Sequence, residues 1–584
     1  MKRLNFYTTN EFKPKGWIKN QLEIQAEGLC GKLNEIWSDI KDSAWIGGME
    51  KEYKKDKQWL AERVPCWLEG YIPLSYMLGD EKMIATAKRY VDSIIALQKA
   101  DGWICPCTTK ENFEKYDLWT VIILMRVFKV YYECSRDEKI PGVMYKVLKN
   151  LYDLLTEEKT RLFEWAHQRW QELFGAITLL YNIYGEEWIR DLAKIMKAQG
   201  KDYNTVTEKW KRPLNVWHHD THIVNLTMML KSEAASCDML GEEYTDNAEY
   251  LHGILNKYNG TVFGSYTGDE CLSGVSPIQG TELCAIAEHM FSAEVLYEYT
   301  GDFKWIDRLE NLAFNAWPAT MSEDMNTHQY CQMSNQISTD AFKGKPIFRT
   351  NDEEAHVFTV HYCCCTANHS HGWPKFALSA YAHDENTIIS AIPLSGTLDS
   401  ELAFIDLETD YPFNHQLKYT VKAKKDFTFK IRIPSFSEET TVNGNCYDGT
   451  LLSYDLKAGE EREICISLKV TPRFEKTPVG LSAVKYGALI FALPASVEDW
   501  EYGYVNNELK VTYNSSGKIP FSLENPPVTV EATVKSIDWG FEDGYDIVCA
   551  KLPGSVIPLS GEKKVTLVPY GAAKLRMTEM PVVE

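Results

Sequence analysis

The stretch Leu78-Gly79-Asp80-Glu81 combines a glycine, which suits the end of one helix, with two acids that suit the start of the next. The pattern recurs roughly every 50 to 60 residues, about the length of a helical hairpin and its return loop. It stands at Ser135-Arg136-Asp137-Glu138, Tyr184-Gly185-Glu186-Glu187, Leu240-Gly241-Glu242-Glu243 and Thr300-Gly301-Asp302. This repetition predicts an (α/α)6 toroid, or barrel, in which paired helices surround a central pocket. An irregular helical array is the alternative.

Beyond about Glu385 the pattern changes to strands. The segments Phe427–Ile433 and Ile464–Val470 alternate apolar and mostly polar residues, and Asn443-Gly444 and Asp448-Gly449 supply turns. We therefore expect a C-terminal β-sandwich followed by a second β unit. The predicted domains are residues 1–385, 386–478 and 479–584.

Composition limits the class of protein. The 584 residues are 45% hydrophobic and carry a formal net charge of -20, so we expect a multidomain globular protein that repels nucleic acid and suits a neutral substrate. No segment approaches the length of a membrane span, and Met1–Asn10 lacks the apolar core of a secretion signal. With 15 cysteines scattered among helical patterns, a reducing, cytoplasmic location is expected.

Three adjacent cysteines lie within residues 362–368, which read Tyr-Cys-Cys-Cys-Thr-Ala-Asn. Adjacent cysteines do not easily form a disulfide, so a soft metal such as zinc is the natural partner. We expect this run to precede a helix with Pro374 near its start, and Thr281 to cap a second helix. Two helix N-termini then present the predicted zinc ligands Glu282, Cys284, Cys364 and Cys365. Buried thiols without metal are the alternative.

The glycine-rich segment 264–274 contains two acids, Asp269 and Glu270, and leads directly into the Glu282 segment. Acid pairs in loops are usually solvated. Here one of the two could face the same pocket as the thiols and serve as general acid/base.

These residues resemble the β-L-arabinofuranosidase family, glycoside hydrolase family 127, over nearly the whole chain. In that family a Glu-Thr-Cys segment and a Cys-Cys pair before Pro-Pro-Asn hold zinc, and Glu282-Leu283-Cys284 and Cys364-Cys365-Thr366-Ala367-Asn368 stand in those places. The family's Leu-Arg-Ile-Pro and Val-x-Asn-Gly signatures are similar to residues 430–434 and 442–444. The resemblance implies that Cys364 is the nucleophile and Glu270 the acid/base.

The resemblance also implies sugar contacts by His222 and by Tyr330, which matches a family tyrosine beside the nucleophile. A structural role is the alternative for both. Where the family has two histidines, this chain has Tyr116 and Trp170, so we expect a more aromatic glycone pocket, with Trp317 as a further candidate for its wall.

The resulting prediction is a retaining exo-glycosidase that removes a terminal sugar, β-L-arabinofuranose or a related sugar, from an oligosaccharide or other glycoside through a zinc-bound cysteine. One alternative is a non-catalytic carbohydrate-binding protein with structural zinc. Another is a different enzyme on the same toroid, either a sugar epimerase or a hydrolase that uses Asp269 with Glu270. No nucleic-acid or membrane partner is expected, and the oligomeric state is open between a monomer and a homodimer.

Overall fold

A computed structural model describes residues 3–47, 61–105, 118–214, 216–336, 339, 355–360, 363–494, 502–506, 508–517, 519–537 and 561–583. Within these residues the chain has a helical N-terminal region and a strand-rich C-terminal region. No helix in the described part is long and apolar enough to cross a membrane.

The helices are concentrated between residues 16 and 378. They are α1 Gly16–Glu27, α2 Leu29–Ile36, α3 Ser38–Lys41, α4 Arg63–Leu78, α5 Glu81–Ala96, α6 Trp119–Ser135, α7 Lys139–Thr156, α8 Glu164–Gln168, α9 Phe174–Tyr184, α10 Glu187–Gln199, α11 Ile223–Met229, α12 Ser232–Leu240, α13 Asn247–Asn259, α14 Leu283–Thr300, α15 Phe303–Asn311, α16 Trp317–Ala319, α17 Cys363–Asn368 and α18 Gly372–Leu378. Short 3₁₀ turns, among them Trp170–Leu173 and His219–Thr221, connect some of them.

The five recurring markers all stand at helix ends, as the sequence predicts. Gly79, Arg136, Gly185, Gly241 and Gly301 each follow the last residue of a helix in the left-handed conformation, with φ between 56° and 68°. Such a residue turns the chain out of the helix and lets its N–H reach back to a late carbonyl. After three of them, an aspartate side chain accepts a backbone hydrogen bond from the first turn of the next helix.

The strands form three larger sheets and one small one. The first larger sheet has the order Asn5–Phe6 (β1), Tyr381–His383 (β7), Thr387–Ser390 (β8), Phe427–Arg432 (β12) and Leu451–Leu456 (β15). The second has the order Asn445–Tyr447 (β14), Glu439–Val442 (β13), Glu461–Lys469 (β16), Gln416–Ala423 (β11), Ala403–Glu408 (β10), Gly396–Asp399 (β9) and Phe12–Pro14 (β2). The third contains Arg473–Lys476 (β17), Ser482–Tyr486 (β18), Leu489–Pro494 (β19), Tyr502–Val505 (β20), Lys510–Tyr513 (β21), Val528–Ser536 (β22), Glu562–Pro569 (β23), Arg576–Met577 (β24) and Val582–Val583 (β25). The small sheet consists of Gly268–Asp269 (β3), Cys271–Leu272 (β4), Thr281–Glu282 (β5) and Cys331–Gln332 (β6).

Side chains of the first two sheets meet in the core. The Tyr419 hydroxyl lies 2.9 Å from the Ser390 hydroxyl, and the Tyr419 ring packs edge-on against Phe429. The predicted turn at Asn443-Gly444 connects β13 to β14, and both of its residues have positive φ, as a tight hairpin requires.

The predicted division into domains did not include the strands at the N-terminus. Strand β1 pairs with β7 and β2 pairs with β9, so the first residues of the chain belong to the strand-rich region. Just after them, Trp17 packs edge-on against four aromatic rings of the helical and strand-rich regions. These rings belong to Phe314, Trp373, Phe413 and Phe521. The helical and strand-rich regions therefore share one hydrophobic core.

A buried charge network joins several helices of the N-terminal region. The Arg126 guanidinium on α6 contacts Glu69 on α4 at 2.8 Å, Glu172 at 2.9 Å and Glu288 on α14 at 3.1 Å. Lys231 lies 2.6 Å from Glu172. Burial alone would raise the pKa of Glu288, but the charges of Arg126 and Lys231 outweigh it and hold that pKa below its ordinary value. Glu288 is therefore held in its ionised form, whereas at Glu172 burial outweighs the same two cations and raises the pKa.

Replacement of Arg126 by Met should destabilise the protein by about 3–5 kcal/mol, because it leaves buried carboxylates without their main cation. The measurement is the urea dependence of tryptophan fluorescence at neutral pH.

Lys88→Met is the matched control, since Lys88 pairs with Asp92 on the surface and both side chains are 56% exposed. It should cost less than about 1 kcal/mol. Equal losses for the two variants would show that the buried network does not hold the helices together.

Candidate active site

The small sheet brings together segments that are far apart in sequence. Strand β3 pairs with β5, and β5 pairs with β6, with Glu282 opposite Cys331. Glu270 lies at the turn between β3 and β4, and Tyr330 directly precedes β6. The backbone N–H of Leu283 also donates to the carbonyl of Tyr330 at 2.9 Å. Glu270, Glu282 and Tyr330 are therefore placed by one hydrogen-bonded unit.

The predicted zinc ligands converge. One potential ligand atom from each of Glu282, Cys284, Cys364 and Cys365 lies within 4.8 Å of the others. Cys284 Sγ is 3.3 Å from Cys364 Sγ and 3.1 Å from Cys365 Sγ, and Glu282 Oε1 is 3.8 Å from both of the latter sulfurs. Asn368 donates its amide N–H to Cys284 Sγ at 3.0 Å.

The four groups differ in exposure and in acidity. Glu282, Cys284 and Cys365 are fully buried, and burial raises the pKa of each well above its ordinary value. Cys364 is partly exposed, and hydrogen bonds from Cys284 and Cys365 hold the pKa of its thiol well below the ordinary value. Cys364 is therefore both the most accessible and the most acidic of the three thiols.

This donor set suits zinc. Cysteine sulfurs and carboxylate oxygens both bind zinc, and these four groups can complete a tetrahedral site, in which sulfurs bonded at about 2.3 Å stand about 3.8 Å apart. An outward shift of about half an ångström would bring the sulfurs to that spacing. Glu282 Oε2 is buried and has no hydrogen-bond partner among the described residues, as expected for a carboxylate that binds a cation.

One local prediction was wrong and another was incomplete. The residue that caps α14 is Glu282 and not Thr281, whose hydroxyl instead donates to the Tyr266 carbonyl. The helix predicted after the cysteine run is present as α18, with Pro374 as its third residue. The run itself also forms a short helix, α17, which the sequence analysis did not predict. Cys284 and the Cys364–Cys365 pair nevertheless lie at the starts of helices, as expected.

Glu270 faces a cavity of about 280 Å³ that is also lined by Cys364 and Cys284. Its carboxylate accepts a hydrogen bond from the Tyr330 hydroxyl at 2.9 Å and another from the Trp217 indole at 2.6 Å. Its backbone φ is +67°, a conformation that residues other than glycine seldom adopt. The hairpin therefore holds this carboxylate in a constrained position at the cavity.

Asp269, the other acid of the pair, is not among the residues that line the cavity. It is buried, and its carboxylate lies against Gly280 so closely that a Cβ there would be 1.7 Å from Oδ1. Asp269 is the last residue of β3, whereas Glu270 lies in the turn with positive φ, and this change of backbone direction separates the two acids. Of the pair, Glu270 is the one in position to contact a ligand.

The two residues that the resemblance connects with the sugar both line the cavity. His222 caps α11, and its ring packs against Trp165 and Trp217. Burial lowers the pKa of His222 to about 3, so its imidazole is neutral. Tyr330 contributes the hydroxyl that contacts Glu270.

Two of the three aromatic residues expected in the pocket lie elsewhere. Trp170 is not among the cavity residues. Its ring packs on Phe174 and beside Gly200, and its indole N–H donates to the Lys201 carbonyl at 3.2 Å. Trp317 is fully buried against Gly372. Tyr116 lies outside the described residues.

One wall of the cavity, which contains Arg169, was not predicted from the sequence. Arg169 lies between two indoles, with its guanidinium carbon 4.6 Å from the centre of the Trp119 ring and 4.3 Å from that of Trp165. It donates to Asn225 at 2.8 Å, and the Trp119 indole donates to Glu62 at 2.5 Å. The spacing of four between Trp165 and Arg169, typical of one helix face, was the available signal.

Solved structures of glycoside hydrolases share this fold over their whole length. One, described as a glycoside hydrolase, has a TM-score of 0.74 at 15% identity, covering 100% of this chain and 98% of its own. A GH127 β-L-arabinofuranosidase from Geobacillus stearothermophilus T6 has a TM-score of 0.73 at 16% identity, with 99% of each chain covered. Another GH127 β-arabinofuranosidase has a TM-score of 0.74 at 15% identity, covering 99% of this chain and 98% of its own.

At such identities structural likeness establishes the fold alone. The family follows from the sequence, since residues 29–378, more than half of the chain, match the family model "Beta-L-arabinofuranosidase, GH127 catalytic domain". The chain belongs to this family and is a glycoside hydrolase. No curated protein matches it significantly.

The protein purified under reducing conditions should contain about one zinc ion per chain. Changing Cys284 or Cys365 to Ser should remove most of the metal and lower the thermal unfolding temperature, because metal binding is coupled to folding. Elemental analysis and calorimetry of the same samples measure both effects.

Cys331→Ser is the control, because Cys331 is fully buried on β6 beside Glu282 but is not one of the four ligands. It should keep the metal even if stability falls. Cys363→Ser should also keep the metal. Active wild-type protein without metal would contradict the zinc site.

Proposed function

We propose that this protein is a retaining exo-glycosidase that removes a terminal sugar, β-L-arabinofuranose or a related sugar, from an oligosaccharide. The observation that carries the proposal is the meeting of two groups in one cavity: the accessible, acidic thiol of Cys364 and the clamped carboxyl of Glu270. A nucleophile and a proton donor facing one sugar are the requirements for retaining hydrolysis.

In the first step Cys364 Sγ attacks the anomeric carbon while the bond from that carbon to the leaving oxygen breaks. Glu270 gives its proton to this oxygen, so the aglycone leaves as a neutral alcohol. The sugar is then joined to Cys364 through a C–S bond. Tyr330 and Trp217 hold the Glu270 carboxyl toward the cavity during this transfer.

In the second step Glu270, now ionised, takes a proton from water as the water oxygen attacks the anomeric carbon. The C–S bond breaks, the thiolate of Cys364 is restored, and the sugar leaves with its original anomeric configuration. Zinc held by Glu282, Cys284, Cys364 and Cys365 would supply positive charge that favours the thiolate form. Asn368 fixes the orientation of Cys284 by its hydrogen bond.

The alternatives predicted from the sequence lose support. A non-catalytic binding protein does not agree with membership of a glycosidase family. A hydrolase using Asp269 with Glu270 is disfavoured, since only Glu270 lines the cavity. We further propose that the helices form the (α/α)6 ring expected from the repeats and that the first two large sheets form a β-sandwich.

Glu270→Gln should slow the hydrolysis of alkyl glycosides by about 100-fold or more, because their leaving oxygen needs the proton. Nitrophenyl glycosides, whose leaving group needs little protonation, should be slowed less in the glycosylation step. Cys364→Ala should abolish turnover of both. Steady-state and single-turnover rates measure these effects.

Asp269→Asn is the control for Glu270→Gln. It should keep the wild-type dependence of the rate on the leaving group. Early products read by NMR should retain the anomeric configuration. An inverted first product would exclude Cys364 as the nucleophile, and a normal leaving-group profile for Glu270→Gln would exclude Glu270 as the acid.

A further inference from the structure

Trp217 combines two properties that rarely occur together. It lines the cavity, yet 46% of it is exposed, more than any other tryptophan among the described residues. Large aromatic side chains normally bury most of their surface. The exposed surface of this ring therefore lies at the mouth of the cavity.

The polar end of the ring is already occupied. Its indole N–H donates to Glu270 Oε2 at 2.6 Å, so the ring is fixed beside the proposed proton donor. Two more rings support it: Trp165 at 5.7 Å and His219 at 4.7 Å between ring centres, both edge-on. The indole is therefore held in place while much of its apolar surface faces solvent.

The position of Glu270 determines which part of a substrate Trp217 can meet. A general acid contacts the oxygen between the two parts of the substrate, so a side chain bonded to that acid at the open mouth lies on the leaving-group side. The cavity of about 280 Å³ is small for a ligand site, and a second sugar would extend beyond its mouth.

We infer that Trp217, supported by Trp165, forms a binding site for the sugar ring on the leaving-group side of the scissile bond. The inference rests on the proposed glycosidase function and adds to it the side chain that contacts the second, neutral sugar of the oligosaccharide. The apolar face of such a ring stacks on the indole, and its hydroxyls remain in water. The remaining polar wall of Arg169, Glu62 and His222 is then available to the terminal sugar.

Two substrates with the same terminal sugar separate this role from the contact with Glu270. One is a methyl glycoside and the other a disaccharide, so both have alkyl leaving groups and only the disaccharide offers a second ring. Wild-type enzyme should prefer the disaccharide. Trp217→Ala should lower kcat/KM for the disaccharide about tenfold more than for the methyl glycoside.

Trp217→Phe keeps an aromatic ring but removes the indole N–H. It should slow both substrates by a similar factor through Glu270 and keep most of the preference for the disaccharide. Val216→Ala is the control, because Val216 is 66% exposed next to Trp217 but does not line the cavity, and it should change neither rate.

A second readout uses the Cys364→Ala variant, which binds without turnover. Disaccharide should quench its tryptophan fluorescence, and the added Trp217→Phe change should remove most of this quenching. Equal losses for both substrates with Trp217→Ala, and quenching that persists without Trp217, would overturn the inference while leaving the glycosidase function intact. A wild-type enzyme that hydrolyses neither substrate, under conditions where other glycosides also fail, would instead overturn the proposed function and the inference with it.

Discussion

The site depends on one electrostatic constraint, which is that three sulfurs and a carboxylate lie within 4.8 Å of one another and that three of these four groups are fully buried. Buried anions are costly unless a cation compensates them, so only some of these groups can ionise without one. The constraint also organises the fold, because Glu282 and Cys284 start α14 while Cys364 and Cys365 belong to α17. A single cation would bind these two helices and the small sheet together.

Residues around the four ligands fix the two ends of the site. One turn beyond Cys284 on α14, Glu288 lines the cavity and joins the charge network of Arg126, so the floor of the site is fixed to neighbouring helices. At the other end, the strained hairpin presents Glu270 between the donors Tyr330 and Trp217. A rigid floor and a clamped acid leave the sugar, rather than the protein, to adjust during the reaction.

Features that depend on neighbouring residues could be predicted from the sequence. Features that depend on contacts between distant segments could be predicted only in part. The marker residues could be assigned to helix ends because a left-handed cap is decided by a few neighbouring residues. The convergence of Glu282, Cys284, Cys364 and Cys365 was expected from their residue types and from the family resemblance. The direction of the Trp170 side chain was not predicted. It depends on the 3₁₀ turn, in which Arg169 rather than Trp170 faces the cavity. The pairing of β1 and β2 with distant strands likewise depends on contacts far apart in the chain.

The central claim is that Cys364 becomes covalently joined to the sugar. The most direct measurement is peptide mass mapping of the Glu270→Gln variant after a rapid acid quench during hydrolysis of a nitrophenyl glycoside, since this variant releases the sugar slowly. The account predicts one added sugar residue on the peptide that contains Cys364, located on that sulfur by fragmentation. A sugar attached to Asp269 or another carboxylate, or burst release of nitrophenol with no sugar attached to the protein, would contradict it.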